Sequence, residues 1–178
     1  MNPLKQNLID TLEEGQLKLG YRPGAVRLYY PLASLCALLG VQTDRAGMCA
    51  ALAAFAQEHR GFFGELAISH QGDRFCLTVP PEGAARVHEQ VDEHGFLAAF
   101  LQAVSRHGAT LSDVLAVFAR YSDRVAVRTL RGGEFNYLVY FEDGRPNAYY
   151  YCLAEEPCHL TYHRFTKADY EAFGFEEA

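Results

Sequence analysis

The sequence predicts an α+β protein: a winged-helix-like N-terminal half, then two helices and a four-stranded antiparallel meander. Three observations predict it. Apolar residues before position 61 recur at helical steps of three and four, interrupted by one short β-prone run, Val26–Tyr30. Residues 66–79 then read as a hairpin, which completes the order helix, strand, helix, helix, hairpin. From Val125 onward the period changes to two, the signature of half-buried strands.

Residues 3–19 read as an amphipathic helix, with Leu4, Leu8, Leu12 and Leu19 on one side and Lys5, Asp10, Glu13 and Glu14 between them. Gly20 marks its end, and Arg22-Pro23-Gly24 turns the chain into the strand. Pro31 suits the first turn of a helix, where its missing N–H costs nothing. Leu32, Leu35, Leu38 and Leu39 supply that helix with a buried stripe, and Gly40 stops it. Thr43-Asp44 offers an N-cap for a helix over 45–60, with Met48, Leu52 and Phe55 on one face. Leu66–Ile68 and Phe75–Val79 are the hairpin strands, joined by His70-Gln71-Gly72-Asp73. Pro80-Pro81 follows and is read as the domain boundary, giving subdomains 1–80 and 81–178.

Residues 82–107 read as helical with a break at Gly95, and Thr110 to Asp113 match a capping box for the next helix. Val125–Leu130, Glu134–Phe141, Asn147–Leu153 and His159–Phe165 read as the four strands of the meander. Thr166 opens a short terminal helix expected to carry Tyr170 and Phe173 onto the sheet.

Charge limits the functional classes. Residues 1–80 hold seven Lys/Arg and seven Asp/Glu, while residues 81–178 hold nine against fifteen and carry the whole net charge of −6. Neither half has the basic excess of a typical nucleic-acid binder. The longest apolar run is too short for a membrane span, and the acidic N-terminus does not suit a signal peptide. Five cysteines without regular spacing read as reduced thiols of a cytoplasmic protein.

The block Tyr21-Arg22, Val26 to Leu32, Ser34-Leu35 and Leu38-Leu39-Gly40 resembles a bacterial family of similar length known only as a domain of unknown function. The resemblance implies a cytoplasmic bacterial protein. It brings no activity, ligand or functional residue with it.

Candidate residues fall into three groups. A winged helix that binds DNA would place the 45–60 helix in the major groove, so Arg45, Arg60 and Arg74 are the DNA-contact candidates. The surrounding alanines and the charge count favour an interaction or regulatory module over that alternative. Tyr137, Tyr149, Tyr150 and Tyr151 are interface candidates: three consecutive tyrosines must face both sides of one strand, which favours a homodimer or a protein partner. Cys152, Cys158, His159 and His163 are the densest potential metal ligands. On a strand, however, the two histidines would stand about 13 Å apart, so no metal and no cofactor is expected. There is no Gly-x-Ser-x-Gly elbow, phosphate-binding glycine loop or His-Glu-x-x-His, and a non-enzymatic role is expected. The other alternative is a small-molecule sensor or enzyme with a pocket between the C-terminal sheet and the helices of residues 82–121.

Overall fold

A computed structural model describes residues 2–178, which divide into two compact units, one reaching to Val91 and one from Asp92 to Ala178. The first unit opens with α1 (Pro3–Leu19), capped by the Asn2 side chain, which accepts from the backbone N–H groups of Leu4 and Lys5. Then come β1 (Val26–Pro31), α2 (Leu32–Leu39) and α3 (Arg45–Phe63), the last capped by Asp44. β2 (Ala67–Gln71) and β3 (Arg74–Val79) form the hairpin, and α4 (Pro81–His88) closes the unit.

The three strands pair antiparallel in the order β1-β3-β2. β1 lies along β3 from Val26↔Val79 to Pro31↔Arg74. His70 and Gln71, expected in the loop, continue β2, because pairing runs as far as Gln71↔Arg74. Only Gly72 and Asp73 are left for the turn, and Gly72 takes the positive φ (58°) that a two-residue hairpin requires at its first position. The inward residues Tyr30, Phe75, Leu77 and Val79 join Leu4, Leu8, Leu12, Leu35, Met48, Leu52 and Phe55 in one core.

The Pro80-Pro81 step is the start of α4 rather than a break between bodies: Pro81 occupies the first helical turn, and the helix packs back onto α1 and α3. Gln16 donates to the Ala84 carbonyl at 2.9 Å, and the Arg86 guanidinium donates to the Gly61 and Phe62 carbonyls at the end of α3. Close approach depends on Gly83, where a Cβ would collide with the Phe63 carbonyl oxygen and lie 2.9 Å from a Val79 methyl.

The second unit places α5 (Phe96–Val104) and α6 (Leu111–Tyr121) against the meander β4 (Val125–Arg131), β5 (Tyr137–Phe141), β6 (Tyr150–Glu155) and β7 (Leu160–Phe165). α7 (Lys167–Phe173) follows, and a two-residue strand, β8 (Glu176–Glu177), pairs with β4, so the sheet order is β7-β6-β5-β4-β8. Phe96, Phe100, Phe118, Phe141 and Tyr151 interlock between helices and sheet, with centroids 4.6 Å apart for Phe118–Phe141 and 4.7 Å for Phe100–Tyr151. Such edge and offset contacts add directional energy to burial. On the other side Tyr140, Tyr150, Tyr170 and Phe175 form a continuous stack with centroid steps of 4.4, 5.1 and 5.2 Å. α7 therefore buries Tyr170, whereas Phe173, expected on the sheet as well, stays 69% exposed.

The capping box of α6 forms in full: the Thr110 side chain accepts from the Asp113 N–H, and Asp113 accepts from the Thr110 N–H at 3.0 Å. The Thr110 backbone bond, then its hydroxyl, hold the Asp113 carboxyl below the usual aspartate range.

Two outcomes follow from these contacts. Gly83→Ala should destabilise the first unit by about 1–3 kcal/mol in urea unfolding, because backbone rather than a flexible side chain must yield. An unchanged midpoint would show that α4 is not seated as described. Because Asp113 is depressed in the fold, its contribution is present above the ordinary aspartate pKa and lost as pH falls through the folded value. The stability difference between the parent and Asp113→Asn should therefore be present at neutral pH and close on acidification. A difference independent of pH would contradict the cap.

Candidate binding face

Strand alternation decides the first unit's outer surface. With Val26, Leu28 and Tyr30 turned to the helices, β1 turns Arg27, Tyr29 and Pro31 outward. β3 likewise buries Phe75, Leu77 and Val79 and presents Arg74, Cys76 and Thr78. The register sets Ala67, Ser69 and Gln71 of β2 beside them. Tyr30 anchors the arrangement from below, its hydroxyl donating to Asn7 Oδ1 at 2.9 Å.

The resulting face carries two guanidinium groups, one exposed aromatic ring, short polar side chains and no carboxylate. Tyr29 is 53% exposed. The Arg74 guanidinium lies over its ring, 5.0 Å from the centroid, a cation–π contact that holds both side chains upright. Arg27 stands two residues from Tyr29 on the same strand, about 6.6 Å along the chain. Arg27, Tyr29, Ser69, Gln71, Arg74 and Thr78 are among the residues bounding a shallow open depression of about 540 Å³. His70 and Cys76 border it as well, and it can seat a planar or anionic group.

The three arginines singled out in the sequence have separate surroundings. Arg45, at the start of α3, reaches Asp73 of the hairpin turn at 3.3 Å, with both side chains more than half exposed. Arg60, in the last turn of α3, pairs with Glu65. Each pair contributes little to stability, but each places a carboxylate beside the cation a phosphate would need. The exposed positions of α3 between them include Ala46, Ala50, Ala53 and Ala54, which offer a base edge no hydrogen bond. Only Arg74 belongs to the open face. Arg27 and Tyr29, which complete it, were not singled out by sequence reasoning; the available signal was their alternation with Val26, Leu28 and Tyr30.

The tyrosines do lie on both sides of the second unit's sheet, but the chain itself covers each side. Tyr151 is fully buried against Phe100 and Phe118, so it has no surface to give a partner, contrary to the expectation from sequence. Tyr150 lies between Tyr140 and Tyr170, and burial pushes its phenol above the usual range against the opposing charge of Lys167. Tyr170 is raised further by burial and by Glu177, whose carboxylate accepts its hydroxyl at 3.3 Å. Tyr149 is half-buried beneath the Arg164 guanidinium, 4.2 Å from its ring, and Tyr137 is half-buried at the β5 start. The space proposed for a pocket between this sheet and its helices is occupied by the interlocked rings.

Cys152 and His163 are register partners on adjacent strands, while His159 lies outside β7 beside Glu156 at 3.2 Å. Among the described residues no group of three or more His, Cys, Asp or Glu side chains is placed to hold a metal ion, and no helix is long and apolar enough to cross a membrane.

These features define an α+β protein with one sheet open on its outer face and one sheet covered on both. The chain belongs to the family described as "Domain of unknown function, E. rectale Gene description (DUF3877)", matched over residues 1–174. No curated protein and no solved structure matches it.

Thiol chemistry gives a direct check on the second unit. Burial pushes the Cys152 thiol up to about 12, whereas Cys158 is exposed in the β6–β7 connection. At mildly alkaline pH iodoacetamide should modify Cys158 in the native protein and reach Cys152 only after denaturant is added, as read by peptide mass spectrometry. Native labelling of Cys152 at a comparable rate would mean that the sheet is not packed on both sides.

Proposed function

We propose that the protein is a non-enzymatic interaction module of the bacterial cytoplasm, and that its contact surface is the open face built by Arg27, Tyr29 and Arg74. The order α1-β1-α2-α3-β2-β3, with β1 against β3, supports a winged-helix-like scaffold for the first unit. On this reading the scaffold is not used to read duplex DNA, since Arg45 and Arg60 are matched with carboxylates and the helix between them is alanine-rich. Five free thiols and the family resemblance support the compartment.

One observation carries the assignment: a tyrosine with half its surface in solvent stands between two arginines on a face without acids. Aromatic and arginine side chains are the residue types that dominate contact surfaces. The covered tyrosines of the second unit make self-association through that sheet the weaker version of the same idea, confined to Tyr137 and Tyr149 at its margins.

A protein with a net charge of −6 has no general reason to bind a polyanion. The parent should nonetheless be retained at low salt on a sulfated-polysaccharide column. Replacing Arg27, Tyr29 and Arg74 together by Ser should abolish retention without shifting the thermal midpoint, while Arg45→Ala and Arg60→Ala leave it unchanged. Equal retention of the triple variant, or no retention of the parent, would remove the open face as the contact surface.

A further inference from the structure

We infer that the open face of the β1-β3-β2 sheet binds single-stranded nucleic acid, an inference that rests on the reading of this face as the contact surface. The size of the face suits a single strand. Three strands at ~4.8 Å spacing make a platform about 10 Å across, wide enough for one nucleotide chain. No helix presents base-reading side chains beside it.

The side chains then select the ligand. Single strands are bound by a positive track along the backbone together with aromatic rings on which bases stack. Tyr29 is the ring. Even with the Arg74 guanidinium over it, half of its surface is in solvent, so a base can share the ring while the guanidinium stays within reach of the adjoining phosphate. Arg27, on the other side of Tyr29, meets the next phosphate along the chain. Ser69, Gln71 and Thr78 line the same depression and offer hydrogen bonds to sugar hydroxyls or base edges. None of the outward strand positions is acidic, so a phosphate chain meets no repulsion on the platform itself. An acidic peptide would satisfy the two arginines but would leave the exposed ring without a use. Sheet-borne aromatic platforms are a general solution for unpaired bases, since every base has a π-face.

The contacts set the expected behaviour. Two arginine–phosphate contacts predict that log K falls with log salt at a slope of about −1.4. Loss of one stacking ring predicts weakening by roughly 5- to 150-fold.

The test is fluorescence anisotropy on the full chain, with labelled oligo-uridine and oligo-thymidine strands longer than the ~4–16 nucleotides that such a platform covers. Parallel arms use the duplex of the same strand, polyglutamate and uridine monophosphate. We expect micromolar binding of at least one single strand, weaker binding of the duplex and no binding of polyglutamate. Tyr29→Ala should weaken strand binding by the stated factor, Tyr29→Phe should restore it, and Arg74→Ala should reduce the salt slope by roughly 0.7. Arg45→Ala should change nothing. Each variant is accepted only if its thermal midpoint matches the parent.

Binding of polyglutamate without binding of either strand would overturn the nucleic-acid class and leave the contact surface standing. Uridine monophosphate bound as tightly as a strand would replace the strand with a single nucleotide. Strand binding indifferent to Tyr29→Ala would place the ligand elsewhere on the chain. If no anion binds and the polysaccharide column fails as well, both readings fall.

Discussion

The pairing of β1 with β3 is the contact on which the first unit depends. It joins residues 53 to 43 positions apart, from Val26↔Val79 to Pro31↔Arg74, and so brings the hairpin back to the strand that leads into α2. It also sets which side of β1 is which. In the observed register Val26, Leu28 and Tyr30 face the leucines of α1 and α2, and Arg27 and Tyr29 face outward. A slip by one residue would bury the arginine and expose the core residues, which the hydrophobic effect forbids. Core packing and the composition of the outer face are therefore two consequences of one register.

The two sheets of the protein differ in a way that separates stability from recognition. In the second unit α5 and α6 cover one side, and α7 with Phe175 covers the other, so Tyr150 and Tyr151 are both spent on internal packing. Desolvation of Tyr150, Tyr170 and Cys152 accompanies that double cover and raises the pKa of all three groups. The first unit has helices on one side of its sheet only. Its outer side leaves Tyr29 and two arginines exposed, the combination available for a ligand.

Charge distribution reinforces the division. The chain is acidic as a whole, yet the strands β1, β2 and β3 contain no Asp or Glu. Asp73, in the hairpin turn beside Arg74, is turned toward Arg45 of α3. Arg74, next in sequence, lies over the Tyr29 ring instead. A net-charge count over residues 1–80 averages these surroundings to zero and hides the difference between them.

The sequence by itself determined the element types and most of their ends. Helical and strand periods are local, as are the caps at Asp44, Thr110 and Thr166, so each can be read within a few residues. The family membership was also legible, in the Tyr21–Gly40 block. Tertiary structure alone decided which surfaces remain open, because cover comes from residues distant in the chain. Gly83 against the Phe63 carbonyl binds α4 into the first unit despite the two prolines before it. Phe100 and Phe118 take Tyr151 out of reach of any partner, and Asp73 and Glu65 occupy two of the three arginines. Tyr29 reads in sequence as one more strand aromatic, and only the helices' absence from its side of the sheet leaves it exposed.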